Sequence, residues 1–340
     1  MTEGVSPHSN MLTDPFGRRI SYLRMSVTDR CDLRCTYCMP ERMTFLPRKD
    51  LLSFEEMEQL ALAFVRRGVR KIRLTGGEPL VRKDIILFIQ RLGVLVKNNR
   101  LEELTMTTNG VQLGKYADQL ADAGVRRINV SLDTLNPAKF EEITRRHRLK
   151  DVLDGIEAAK NAGLKIKLNT VALKYDNASE IPSLISWAHE RDIDISLIEV
   201  MPMGDVDEDR LDQYLPLTSV QDNLKKHWTL HPDDFRTGGP SRYWRIAETG
   251  GRVGFISPLT QNFCDGCNRV RLTATGQLYQ CLGQDNRVDF RSILRSGASA
   301  HDLDLALDAA IANKPHGHDF RIKSRGETPS VARTMSTTGG

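Results

Sequence analysis

Apolar and polar residues alternate along a set of short segments, and a helical period runs between them. Tyr22–Thr28 places Leu23, Met25 and Val27 on one face and Tyr22, Arg24, Ser26 and Thr28 on the other. Lys71–Thr75 sets Ile72 and Leu74 against Lys71, Arg73 and Thr75. Arg127–Leu132 and Lys165–Val171 repeat the alternation, with Asn129, Ser131, Lys167 and Asn169 on the polar side. Glu103–Thr107 and Asp194–Val200 complete the predicted strands. Successive side chains on a strand point to opposite faces. These strands therefore carry one apolar face and one polar, partly cationic face.

The segments between them read as helices. One begins at Ser53, where Glu56 three residues on makes a capping-box signature. The others span Asp84–Val96, Lys115–Ala123, Pro137–Arg145, Leu149–Ala162 and Glu180–Glu190. Strand–helix alternation implies parallel strands and right-handed crossovers. The units fall short of a full eightfold barrel. The expected fold is α/β: a partial (βα)6 barrel of parallel strands. An antiparallel sheet with one wet face would share the alternation, but the intervening helices argue for parallel strands.

The inner face of a closed barrel is packed with branched apolar side chains. Here it would hold Arg24, Arg73 and Lys167. Unpaired buried cations are costly, so the lumen is expected to be wet and filled in use by a polar, anionic ligand. After about residue 215 the pattern breaks into a short helix at Ser219–His227 and a loop-rich stretch, His231–Arg242. A length of 340 residues suggests about two domains. The expected division is a barrel over 12–215 and a second, C-terminal region over 216–340 that holds the later cysteines.

Composition excludes several classes. Apolar residues make up 40% and charged residues 27%, as in an ordinary globular protein. The net charge of +4 is too mild for a nucleic-acid binder. No apolar run approaches the roughly 20 residues of a membrane span, and residues 1–10 lack a signal-peptide pattern. A cytoplasmic protein is expected, with reduced thiols.

All six cysteines fall into two triplets: Cys31, Cys35 and Cys38 directly after the first strand, and Cys264, Cys267 and Cys281 near the end. Three thiolates can hold three irons of a four-iron cluster and leave the fourth open for a small molecule. Structural zinc usually takes four closed ligands, which the first triplet does not offer. By spacing alone the second triplet suits zinc as well as a cluster. Asn268-Arg269-Val270-Arg271 follows it at once, and alternate arginines on an extended segment share a face suited to phosphate.

The C-x3-C-x2-C triplet after the first strand, with Tyr37 before its last cysteine, resembles the radical S-adenosylmethionine (SAM) superfamily. So do Thr75-Gly76-Gly77-Glu78-Pro79, Thr107-Thr108-Asn109-Gly110, Ser131-Leu132-Asp133 and Met201-Pro202, all at strand C-termini. The resemblance implies that SAM binds the open iron of the first cluster, with Tyr37, Gly77, Ser131 and Met201 as contacts. It also implies that reductive cleavage of SAM yields a 5′-deoxyadenosyl radical. The glycines allow close backbone approach, and Glu78 could accept from the SAM ammonium.

Taken whole, the chain resembles the GTP 3′,8-cyclase family of molybdenum-cofactor biosynthesis. The marks are both triplets, Cys-Asn-Arg-x-Arg, Lys-Ile-Arg-Leu-Thr-Gly-Gly-Glu-Pro and the terminal Gly339-Gly340. That resemblance implies two [4Fe-4S] clusters, Cys31/Cys35/Cys38 and Cys264/Cys267/Cys281, the second holding the guanine of GTP. It implies GTP contacts at Arg24, Lys71, Arg73, Thr107, Lys167, Arg269, Val270 and Arg271. The radical would take hydrogen from C3′ of the ribose, and C3′ would then join C8 of guanine. Gly339 and Gly340 would reach into the active site and support the radical step. An external electron donor and a downstream cyclic pyranopterin monophosphate synthase are the implied partners, with no nucleic acid or membrane; a homodimer is left open.

Two departures stand out. The family usually has Arg-Phe-Ile-Glu before the strand-six Met, and this chain reads Ser196-Leu197-Ile198-Glu199. The tail reads Thr337-Thr338 where an Ile often precedes the glycines. The rival readings are another radical SAM maturase with one auxiliary cluster and, from a different class, a zinc-binding interaction protein. Arg145-Arg146-His147-Arg148 reads as a solvated helix face paired with Glu141 and Glu142. His316 and His318 read as exposed loop histidines.

Overall fold

The computed structural model describes residues 11–204, 212–320 and 330–339. Six βα units come first: β1 Tyr22–Ser26, α1 Phe54–Arg66, β2 Lys71–Thr75, α2 Ile85–Lys97, β3 Glu103–Thr108, α3 Leu113–Asp122, β4 Arg127–Ser131, α4 Pro137–Thr144, α5 Leu149–Asn161, β5 Lys165–Ala172, α6 Ile181–His189 and β6 Asp194–Glu199. Then follow α7 Leu217–Leu224, β7 Leu230–Asp233, β8 Arg242–Ile246, β9 Arg252–Ile256, β10 Arg269–Leu272, β11 Gln277–Tyr279, β12 Arg287–Asp289, α8 Phe290–Arg295, α9 Ala300–Ala312 and α10 Met335–Thr338. No described helix is long and apolar enough to cross a membrane.

The local signals act as expected. Ser53 caps α1, its hydroxyl accepting from the Glu56 N–H at 3.1 Å while Glu56 accepts from the Ser53 N–H at 2.7 Å. Asn136 caps α4 by accepting from the N–H groups of Ala138 and Lys139. The apolar strand faces (Leu23, Met25, Ile72, Leu74, Ile128, Val130) join helix residues such as Phe64, Phe88, Ile156 and Ile185 in one buried core. Removing that apolar area from water is the main force holding helices to sheet.

The six strands are parallel neighbours in chain order, β1 to β6. The C-terminal chain then adds to both edges of this sheet. β10 runs parallel beside β1, pairing Arg24 with Arg271, and β9 runs parallel beside β6, pairing Ser196 with Gly254. Antiparallel β11 and β12 extend one edge, and β8 and β7 the other. The stretch read as loop-rich thus contributes strand residues at both its ends. Its alternation is too short and too interrupted by Pro232, Gly238, Gly239 and Pro240 to show as a period.

The basic run differs from its sequence reading. α4 ends at Thr144, and Arg145 takes a left-handed conformation with φ 57° as its C-cap. The helix face therefore does not continue through Arg146 and Arg148. Glu141 pairs with His147 at 2.7 Å and Arg148 with Asp151 at 2.6 Å.

Gly93 lies inside α2, where glycine normally costs about 1 kcal/mol relative to alanine. A Cβ there would sit 1.9 Å from the Ala123 carbonyl oxygen at the end of α3. Gly93→Ala is therefore expected to lower stability by about 1–3 kcal/mol through overpacking. A thermal melt checks the sign, and an unchanged or raised midpoint would contradict it.

Candidate active site

One cavity opens at the C-terminal ends of the parallel strands and runs down the lumen. All six cysteines line it. The first triplet occupies the loop after β1. Arg34 and Thr36 donate backbone N–H bonds to the carbonyls of Thr144 and Ile143, each at 2.9 Å, which fixes the loop on the end of α4. The turn after β2 presses against the same loop. A Cβ on Gly77 would lie 2.0 Å from the Arg30 carbonyl oxygen, so only glycine fits. Tyr37 donates to Asp133 at 2.6 Å, tying the loop to the end of β4.

Burial pushes the Cys31 thiol up to about 12, with Glu78 and Cys38 adding to the shift. Burial likewise drives Cys35 well above its ordinary value, helped by Cys38 and Cys31. The three sulfurs therefore feel one another. In the second triplet, Cys264 and Cys267 lie between β9 and β10, and Cys281 follows β11. Burial raises the Cys281 thiol, with Cys267 and Cys264 adding to it. Burial also raises Cys267, but Arg269 and Lys314 outweigh it and the net direction is down. Arg18 braces this loop from the N-terminal segment. It pairs with Asp14 at 2.6 Å and donates to the carbonyls of Cys264 at 2.7 Å, Pro315 at 2.7 Å and His316 at 2.5 Å.

Between the triplets the wall carries Tyr22, Arg24, Arg73, Thr107, Lys167, Arg269 and Arg271. Burial lowers Arg24 to about 10 and Lys167 and Arg271 well below their ordinary values, and neighbouring cations add to each shift. Tyr22 moves the other way from its burial, because Arg73, Arg24, Lys71 and Arg269 together pull its pKa down. Arg73 lies 3.5 Å from the Thr107 hydroxyl, and its Nε is buried without a partner. No carboxylate among the described residues forms an ion pair with Arg73, Lys167, Arg269 or Arg271. The wall thus holds mutually repelling cations in a site that an anion would neutralise.

The tail enters this site. Thr338 is fully buried, and Arg271 donates to the carbonyls of Thr338, at 3.5 Å, and Gly339. Gly339 has φ +76°, and a Cβ on it would lie 1.9 Å from the Thr75 hydroxyl. Gly340 lies outside the described residues.

The chain matches the family model of the radical SAM superfamily over residues 25–188 and that of Molybdenum Cofactor Synthesis C over residues 193–320. It is 63% identical over 329 residues to a GTP 3′,8-cyclase of Erythrobacter litoralis, covering 97% of this chain and 98% of the relative. It is 59% identical over 336 residues to a GTP 3′,8-cyclase of Brucella ovis, covering 99% and 97%. The chain belongs to the GTP 3′,8-cyclase family. Among solved structures, Streptococcus suis SuiB bound to S-adenosylmethionine shares the fold, with TM-score 0.58 and 17% identity, over 86% of this chain and 69% of that one.

In this cyclase-family chain several residues sit differently from the sequence reading. Lys71 does not line the cavity; its ammonium pairs with Glu103 at 2.5 Å and donates to the Thr237 carbonyl at 2.8 Å. Val270 points into the core with 1% exposure, because it has the opposite parity to Arg269 and Arg271. Glu78 also faces away. Its carboxylate accepts from the Leu80 N–H at 3.0 Å, the Thr108 hydroxyl at 2.9 Å and the Asn109 N–H at 2.6 Å, stitching β2 to β3. His316 is exposed, but His318 lines the cavity, drawn in beside the buried ring of Phe320.

Asn129, Asn169, Gln280 and His318 also line the cavity, although the sequence gives the two asparagines no role, reads His318 as an exposed loop histidine and does not mark Gln280 at all. The parity that marked Arg24 and Lys167 also marks Asn129 and Asn169. Gln280 and His318 carry no such signal. Ser196, in place of the expected arginine, accepts from Lys167 at 3.0 Å and bonds Ser241 at 2.9 Å.

Gly339→Val should unseat the tail, since the clash with Thr75 adds to an unfavourable φ. Hydrogen exchange over Met335–Gly339 is expected to rise sharply, with the barrel strands unchanged. Unaltered protection of the tail would contradict this placement.

Proposed function

We propose that this chain is a radical SAM enzyme that cyclises GTP to (8S)-3′,8-cyclo-7,8-dihydroguanosine 5′-triphosphate, an early step of molybdenum-cofactor biosynthesis. The observation that carries the reading is the convergence of two thiol triplets on one cavity whose intervening wall is cationic. Cys31, Cys35 and Cys38 would hold the first [4Fe-4S] cluster, and Cys264, Cys267 and Cys281 the second. The donor chemistry fits. Each triplet offers thiols that sense one another, and no disulfide links the cysteines. Among the described residues, no three Cys, His, Asp or Glu side chains are drawn together as ligands of a single ion. One thiolate on each of three irons needs no such convergence.

SAM held by Cys31, Cys35 and Cys38 through the first cluster would supply, on one-electron reduction, the radical chemistry that removes the ribose C3′ hydrogen. The protein's part is binding, orientation and exclusion of water. Gly77, Ser131, Met201 and Tyr37 surround the SAM end of the cavity. Arg24, Arg73, Lys167 and Arg269 would grip the triphosphate, with Thr107 steadying Arg73. Lys71 acts at one remove by engaging Glu103 and the Thr237 loop. Val270 offers only its backbone. Arg271, Gly339 and, beyond the described residues, Gly340 would close the site around the ribose. No side chain is called on as a general base for hydrogen abstraction.

The reading requires an external one-electron donor and a consumer of the cyclised nucleotide, cyclic pyranopterin monophosphate synthase. It places the chain in the cytoplasm, where thiols stay reduced. Anaerobically reconstituted protein given SAM, GTP and a reductant should yield the cyclised nucleotide by mass spectrometry. Cys35→Ala should lower iron from about eight to about four per chain and abolish 5′-deoxyadenosine formation. Undiminished SAM cleavage by that variant would overturn the assignment of the first triplet.

A further inference from the structure

A buried cation stands beside the second triplet without facing the cavity. Lys314 follows α9, its N–H bonded to the Ile311 carbonyl at 3.0 Å, and the residue is only 3% exposed. Its Nζ donates to the Gln280 carbonyl at 2.7 Å and lies 3.8 Å from the Cys267 sulfur. Lys314 does not line the cavity, so it is not placed to touch substrate. Among the described residues no carboxylate pairs with it. Arg269 also approaches the same sulfur, to 4.0 Å.

Burying an ammonium without a counter-charge is costly. The Gln280 carbonyl supplies a hydrogen bond but no charge. The Cys267 sulfur is the ligand within reach of Nζ, and the Cys281 sulfur also feels the charge; both become anionic on taking up iron. Three thiolates leave a four-iron cluster net negative, and one-electron reduction adds a further negative charge. A fixed cation with an N–H directed at a ligand sulfur therefore favours the reduced form. Arg269 shares this position but also faces the cavity, where an anionic substrate competes for it. Lys314 has no such second task.

We propose that Lys314 is a positioning and tuning residue of the second iron–sulfur site, hydrogen-bonding the Cys267 thiolate and raising the reduction potential there. The inference rests on the reading of Cys264, Cys267 and Cys281 as ligands of a second cluster. Lys314→Met keeps the length and volume of the side chain and removes the charge; Lys314→Arg keeps the charge.

The test is an anaerobic redox titration of the reconstituted full chain followed by electron paramagnetic resonance, with iron content measured on each sample. The second-site signal is the component that GTP perturbs. Lys314→Met should move its midpoint to a more negative potential and leave the other component in place, and Lys314→Arg should stay near the unsubstituted value. Loss of the second set of irons in Lys314→Met but not in Lys314→Arg would also support the assignment, because only the charge differs in kind. No shift in Lys314→Met, or equal shifts or equal iron loss in both variants, would overturn it. An unsubstituted protein with only about four irons per chain would instead overturn the two-cluster reading, and this inference with it.

Discussion

The structure turns on the burial of like charges on the inner face of a parallel sheet. Arg24, Arg73, Lys167, Arg269 and Arg271 project into one lumen, and Glu103, a carboxylate on the neighbouring strand β3, is taken by Lys71 and Arg127. Such an arrangement opposes folding, and the apolar outer faces must offset it by packing against the helices. The cost is a reservoir: an anion entering the lumen recovers it as binding energy. Hydrogen bonds between ionised groups are among the stronger ones in a folded protein. A polyanion is thus held by a surface that is unfavourable when empty, which selects for charge before shape.

The rest of the architecture serves to bring chain segments distant in sequence to this lumen. Strands β10 and β9 flank the six-strand core, so the second triplet and its arginines lie opposite the first without a separate interface. Arg18 ties the N-terminal segment to the Cys264 loop, and Arg333 ties the tail to the carbonyls of Cys281 and Leu282. Glycine is used where backbone must meet backbone or side chain at sub-contact distance, at Gly77 against the Arg30 carbonyl and at Gly339 against Thr75.

Strand parity made the lumen legible from sequence. Leu23, Met25 and Val27 alternate with Tyr22 and Arg24 because one face meets helices and the other a ligand, and that pattern survives in the order of residues. The same rule correctly separates Arg269 and Arg271 from Val270. What parity cannot show is where a side chain ends. Lys71 has the lumen parity, yet its long stem carries the ammonium to Glu103 and the Thr237 carbonyl. Glu78 sits in a glycine-rich turn beside the cavity, yet three local donors turn it inward. His318 and Lys314 lie on irregular chain, where no period links sequence position to direction, and only the folded backbone places them.

The central claim is that the lumen cations are arranged for a polyanion. Calorimetric titration of the anaerobically reconstituted protein with GTP and with guanosine tests it most directly. Each charge-assisted hydrogen bond contributes roughly 1.5–3 kcal/mol, so the account predicts GTP binding tighter than guanosine by tenfold or more, with the difference much reduced in Arg73→Ala. Equal affinities for the two ligands would contradict it.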